Sequence, residues 1–180
     1  NQVKSLLRQD LDALIIEAGD PKAMAQVVSD ADIPVIGTDV PVYAENVLFH
    51  ASVGNVPMGA KAGDLLVQHM REQKPDKDTY NVMELLMDQD NTNAVQRHLG
   101  FNQAWDQYDD VQVKKRIEID GYSPVEVQNR ANAYFQTDKD IDGISSMWPA
   151  GVQGVLQAME QQNLKISRGD EGHITVTSID

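Results

Sequence analysis

The sequence predicts an α/β fold built on parallel sheets, and three observations carry that prediction. Short apolar runs recur along the chain, of the kind shown by a strand buried on both faces, such as Ala13-Leu14-Ile15-Ile16 and Ile33-Pro34-Val35-Ile36-Gly37. Between such runs lie stretches with apolar residues on a 3.6-residue period, the clearest being Met58, Ala62, Leu65, Leu66 and Met70. Strands separated by helices of this length imply a parallel sheet with right-handed crossovers.

Taken in order, Val3, Leu6 and Leu7 have helical spacing and read as the last turns of a helix. The first strand covers Ala13 to Ile16. Asp20-Pro21 then starts a helix, because Asp caps free backbone N–H groups and Pro at the first helical position loses no hydrogen bond; Met24, Val27 and Val28 supply its apolar face. Ile33 to Gly37 is a second strand, with Pro34 near its beginning where a missing N–H is tolerated, and Val47 to Phe49 is a third. The Met58 to Met70 stripe is the helix that follows. Tyr80 to Leu86 reads as a strand, Asn91 to Trp105 as a helix with Ala94 and Phe101 inward, and Val113 to Ile119 as an alternating strand. Ser123-Pro124-Val125-Glu126 is a capping box and opens another helix. Ile141 to Met147 is a strand, Val152, Val155, Leu156 and Met159 stripe the next helix, and Ile174 to Ile179 is the last strand. The polar connector Lys74-Pro75-Asp76-Lys77-Asp78 marks the domain boundary, giving a first lobe at 1–74, a crossover at 75–79 and a second lobe at 80–180.

The 180 residues carry 28 Asp and Glu against 15 Lys and Arg, a net charge of −13 that repels a phosphate backbone or an anionic membrane surface and so argues against nucleic-acid binding. No segment approaches the roughly 18 unbroken apolar residues of a membrane helix. The absence of cysteine removes disulfides, thiolate zinc sites and thiol catalysis. His50, His69, His98 and His173 show no metal-ligand spacing and read as surface or cap residues. Asp138 to Gly143 matches the first half of an EF-hand loop, but Pro149 stands where the bidentate Glu belongs, so it reads as a solvated acidic turn. No nucleotide fingerprint, no nucleophile elbow and no paired nucleophile and base are present, so the sequence supports neither an enzyme nor a cofactor.

Open parallel sheets bind ligands beyond the carboxyl ends of their strands. Those ends deliver Glu17, Asp39, the loop from Asp88 with Asn91 and Asn93, Tyr122, Trp148 and Asp180. Carboxylates and amides accept from and donate to hydroxyls, while an indole face packs on the C–H face of a sugar ring. The same residue types also form turns and caps, and Trp148, which precedes Pro149, can sit extended over the core.

Several of these stretches carry a resemblance. Asp12 to Ile16, Asp20 and Ile33 to Asp39 are similar to the "DALII…D…IPVI..D" pattern of the sugar-type (type I) periplasmic binding proteins, the ribose- and galactose-binding relatives. Val53 to Gly63 resembles their "DN...G..AG", Arg97 to Phe101 their "R..GF", Asp142 to Trp148 with Gly154 and Ala158 their "D.I.....W/ND..A.GA..A", and Ile174 to Asp180 their last motif. The motifs succeed one another in order over the whole chain.

The resemblance implies two doubly wound, flavodoxin-like lobes that close on a monosaccharide or polyol in an interlobe cleft. It also implies delivery to the membrane subunits of an ABC importer, in the periplasm or at the extracellular surface of a bacterium, without membrane insertion. A membrane sensor of the chemoreceptor or histidine-kinase type and a lactose-repressor-type regulator share the lobes and stay open as alternatives. Carried over by position, Asp39 matches the first-lobe carboxylate that accepts ligand hydroxyls and Asp180 the carboxylate closing the last motif. Glu17, Tyr122, Trp148, Asn91 and Asn93 fall at or near polar and aromatic ligand positions. Val40 and Val95 stand where relatives often have Arg, and Pro149 replaces an acid, which also admits an amino-bearing ligand. The family's opening β-α-β unit, roughly 30 residues, and its closing segments would lie outside the chain, so the lobes are expected to be incomplete at both ends.

Overall fold

Seven parallel strands fall into two sheets in the computed structural model of the chain, which describes residues 2–164 and 166–179. The chain divides into two compact units, Asn1–Gly54 and Asn55–Asp180.

The first unit runs α1 (Gln2–Leu6), β1 (Leu14–Glu17), α2 (Pro21–Val28), β2 (Val35–Thr38) and β3 (Val47–Ala51), with sheet order β1-β2-β3. As its sequence predicts, α2 begins at Pro21, and the Asp20 carboxylate accepts the Ala23 N–H at 3.0 Å. Leu14, Ile16, Val28, Val35 and Val42 form the core of this unit. Its strands differ from the expectation of burial on both faces. The in-register row Ile15, Ile36 and Phe49 lies on the opposite face, where Ile15 is 68% and Phe49 55% exposed. Among the described residues α2 packs on the Leu14 and Ile16 face, so only that face is closed.

The second unit continues with α3 (Asn55–Gln73), β4 (Tyr80–Leu86), α4 (Thr92–Trp105), β5 (Val111–Glu118), α5 (Pro124–Phe135), β6 (Gly143–Ser146), α6 (Pro149–Gln161) and β7 (Thr175–Ser178), in sheet order β5-β4-β6-β7. Helices cover both faces. A Cβ at Gly143 would strike Met70 and Leu66 of α3, while the Ser146 hydroxyl, three residues on and therefore on the other face, lies against Gly151 of α6. Central β4 is consequently buried at every position. The order, the parallel pairing and the two-sided helix layers are those of a doubly wound lobe.

Two glycines set the approach of α3 to α4. A side chain on Gly59 would meet the Arg97 carbonyl, and one on Gly100 would meet the Val56 carbonyl and, at 2.7 Å, the Ala60 nitrogen. The helix backbones therefore touch, which brings the first residue of α3 beside the first turns of α4.

The domain boundary differs from the one expected at 75–79. Helix α3 shares a core with β4 and β6 through Ala62, Leu66, Val67 and Met70, so it belongs to the second unit. The polar stretch from Lys74 to Asp78 is a helix-to-strand connector, and its polarity has a local cause: Lys74 and Lys77 each ion-pair with Asp142 at 2.6 Å. The division at Gly54 carries no such run of polar residues.

Candidate functional site

At the carboxyl ends of the second unit's strands the sequence places an amide-rich group. Asn91 caps α4, its Oδ1 accepting the Asn93 and Ala94 N–H groups at 2.9 and 3.2 Å, and its Nδ2 donates to the Tyr122 hydroxyl at 3.2 Å. The loop after β4 and the turn after β5 thus meet, and Tyr122 stays 57% exposed. Asn93 is buried and accepts from Asn55 Nδ2 at 3.0 Å, while Asn55 Oδ1 accepts from Arg97 Nε at 2.8 Å. Arg97 Nη1 donates to the Met147 carbonyl at 2.6 Å, which reaches the end of β6. Of the residues singled out from sequence, Asn91, Asn93 and Tyr122 come together here.

Trp148 lies at the same end but faces inward. It is 5% exposed, in the extended conformation that a following proline favours, and its ring packs against Gly151 in the first turn of α6. Its Nε1 has no hydrogen-bond partner among the described residues. The stacking face expected for a sugar is therefore not at the surface here. Asp180 lies outside the described residues.

In the first unit, Glu17 and Asp39 end neighbouring strands. Glu17 is exposed at the end of β1. Asp39 follows β2 with φ at 59°, the left-handed region, while its N–H donates to the Ala51 carbonyl at 3.0 Å. Asp enters that region more readily than most residues, yet the conformation still costs about 1–2 kcal/mol, and such strain concentrates where a side chain must point in a set direction.

Two polar groups escaped the sequence reading. Asn55 and Arg97 each lie in a stretch that carries the family resemblance, but the resemblance does not reveal their contact: they stand 42 residues apart in sequence and meet through the α3–α4 contact. The other is Glu84, fully buried in the middle of β4, which accepts from His98 Nδ1 at 2.7 Å and Arg116 Nε at 3.0 Å. Burial pushes the Glu84 carboxyl up, and His98 and Arg116 offset this only partly. His98 is thus a partner of a buried carboxylate rather than the surface or cap residue expected. The other three histidines make local contacts: His50 Nε2 lies 2.8 Å from the Val42 backbone, His69 meets Glu72, and His173 Nδ1 lies 2.8 Å from the Ile166 carbonyl.

The acidic segment 138–142 sits at the opposite, amino end of the sheet. Burial pushes the Asp142 carboxyl up, but the Asn81 N–H and the Lys74 and Lys77 ammoniums outweigh it and hold the group below its ordinary value. Lys114, bonded to Asp140 and Asp138, is pushed up to about 12. The three carboxylates of the EF-hand-like run, Asp138, Asp140 and Asp142, are thus paired with lysine ammoniums.

No helix among the described residues is long and apolar enough to cross a membrane. No curated protein matches the chain in sequence. Solved structures do match it in fold. An ABC transporter periplasmic solute-binding protein from Actinobacillus succinogenes 130z with bound D-allose aligns with a TM-score of 0.80 and 21% identity, over 97% of this chain and 61% of that one. A galactofuranose-binding protein aligns at 0.78 and 22%, over 99% and 60%. The fructose-binding periplasmic domain of a hybrid two-component system aligns at 0.76 and 19%, over 97% and 55%. The chain therefore spans about three fifths of the length of these structures. The sequence model of the Periplasmic binding protein domain matches residues 1–180, and with the doubly wound second unit it establishes that this chain belongs to the periplasmic binding protein family.

Proposed function

We propose that the chain is the solute-recognising part of an extracytoplasmic receptor that takes up a monosaccharide or polyol and hands it to an ABC importer at the bacterial membrane. The observation that carries this reading is the group of Asn91, Asn93 and Tyr122 at the carboxyl ends of the second unit's strands. Amides and a phenol offer donors and acceptors together, which is what a hydroxyl-bearing ligand needs, since each of its hydroxyls both donates and accepts. Within the first unit, Glu17 and Asp39 are proposed ligand acceptors by their family motif, at the carboxyl ends of that unit's own strands. Asp180 belongs to the same proposed set by its motif. A second reading, a sensor that reports ligand to a membrane kinase, is supported by the fold shared with the fructose-binding domain of a two-component system.

A thermal-shift panel of D-allose, D-fructose, arabinoses, inositols, glycerol and small amines tests the proposal. A ligand at about 100 times its dissociation constant adds roughly 2.7 kcal/mol of stability. A raised midpoint confined to sugars or polyols is expected. A response to amines alone transfers the site to a cationic ligand, and silence across the panel overturns the reading.

A further inference from the structure

We infer that Arg97 is a positioning residue: it fixes which end of the Asn93 amide meets the ligand, acting through Asn55, and anchors the β6–α6 junction through the Met147 carbonyl. This rests on the binding-protein reading above and adds a residue and a polarity to it.

A guanidinium can only donate. The Asn55 atom 2.8 Å from Arg97 Nε must therefore be its oxygen, and the atom it turns to Asn93 must be its NH2. That NH2 in turn requires the oxygen of Asn93, at 3.0 Å. Orientation passes along one direction, from Arg97 to Asn55 to Asn93, and neither amide can flip without setting donor against donor. Any further partner that Asn93 meets through its nitrogen is thereby an acceptor, such as a hydroxyl oxygen. Asn55 is 1% and Asn93 6% exposed, so water cannot easily substitute for a broken link. The second arm of the fork, from Nη1 to the Met147 carbonyl at 2.6 Å, holds the residue before Trp148 at the start of α6, a helix with no side-chain cap of its own. A lysine cannot reproduce this fork, because a single ammonium lacks its two fixed directions.

Two variants separate positioning from packing. Arg97→Lys keeps the charge and removes the fork. Asn55→Asp still accepts from Arg97 but cannot donate to Asn93, so it reverses the polarity while retaining the contact. Calorimetric titration of the wild type and both variants with D-allose, D-fructose and L-arabinose, beside urea unfolding, reads the result. The expected outcome is a wild type that binds at least one of these sugars. Asn55→Asp should then bind that sugar about tenfold or more weakly, with a near-wild-type unfolding midpoint, and Arg97→Lys should be weakened similarly. Asn55→Asp binding like the wild type overturns the inference while leaving the binding-protein reading intact. Loss of the folded state in both variants also overturns it, by assigning the chain of bonds to the fold alone. A wild type that binds none of the three sugars removes the inference together with the reading beneath it.

Discussion

The two ends of the second unit's sheet are made of different chemistry. At the amino end, Asp138, Asp140 and Asp142 are met by Lys74, Lys77 and Lys114, with Asp142 almost fully buried and bonded to the Asn81 N–H at 2.8 Å. At the carboxyl end the amides of Asn55, Asn91 and Asn93 and the Tyr122 phenol form a bonded group organised by Arg97, beside the exposed carboxylates of Asp88, Asp90 and Asp120, and Tyr122 remains open to solvent. Charge matched by opposite charge is a way to hold a fold together. Neutral groups with both donors and acceptors are a way to exchange water for a polyhydroxylated ligand. The acidic cluster at the amino end is thus matched by lysines and holds the fold, whereas the bonded amides at the carboxyl end belong to the proposed site.

If that division is right, variants at the two ends should fail differently. Asp142→Ala should have the largest effect on stability, about 2–3 kcal/mol, because it strands two lysines and leaves the buried Asn81 N–H without an acceptor. Ligand affinity measured on the folded fraction should be unchanged, and weakened binding would break the contrast. Gly100→Ala should cost about 1–3 kcal/mol, since its methyl would meet helix backbone rather than a yielding side chain. It should also weaken binding by separating Asn55 from Asn93, and a stabilised protein would contradict the α3–α4 contact.

Acid should act through the amino end. Asp142 has its pKa held below the ordinary 3.8, so its contribution is present above that value and is lost as pH falls through the lowered one. Glu84 runs the other way. Its raised pKa means that the contribution is present below 4.5 and is lost as pH rises through the raised value. Glu84→Gln should therefore gain on the wild type as pH rises above 4.5, read from urea midpoints, and a difference that stays flat with pH would show that Glu84 does not titrate abnormally. The smallest stability effects belong to the proposed site itself. Asp39→Asn tolerates the left-handed backbone, and Tyr122→Phe removes an exposed hydroxyl together with its solvent-accessible bond from the Asn91 amide. Each should change stability by less than about 0.5 kcal/mol while weakening sugar binding, most strongly for Asp39. Unaltered affinity in Asp39→Asn would show that Asp39 takes no part in ligand binding.

Local signals made most elements legible in the sequence. Asp20-Pro21 and Ser123-Pro124 start helices where capping chemistry says they must, and Asn91 both caps α4 and sits at the proposed site. Groups that depend on contacts distant in sequence were not legible. The Asn55–Arg97 pair needs two glycines to bring helix backbones together, and the Glu84–His98 pair needs α4 to lie on β4. Lys74 to Asp78 misled as a boundary because its charges answer Asp142 and Asp140, some 60 residues later. Trp148 shows how one signal supports two outcomes: an aromatic at a strand end can stack on a sugar or close the core, and packing against Gly151 decides for the core in this structure.

The most direct test of the account follows the side-chain amide resonances by NMR while the sugar that raises the melting point is added. Asn55, Asn91 and Asn93, at the carboxyl end, should shift on binding, while Asn81, locked between Asp140 and Gln112 at the amino end, should stay in place. A response of Asn81 with silence at Asn91 and Asn93 would contradict the account, by moving the ligand to the end assigned here to structure.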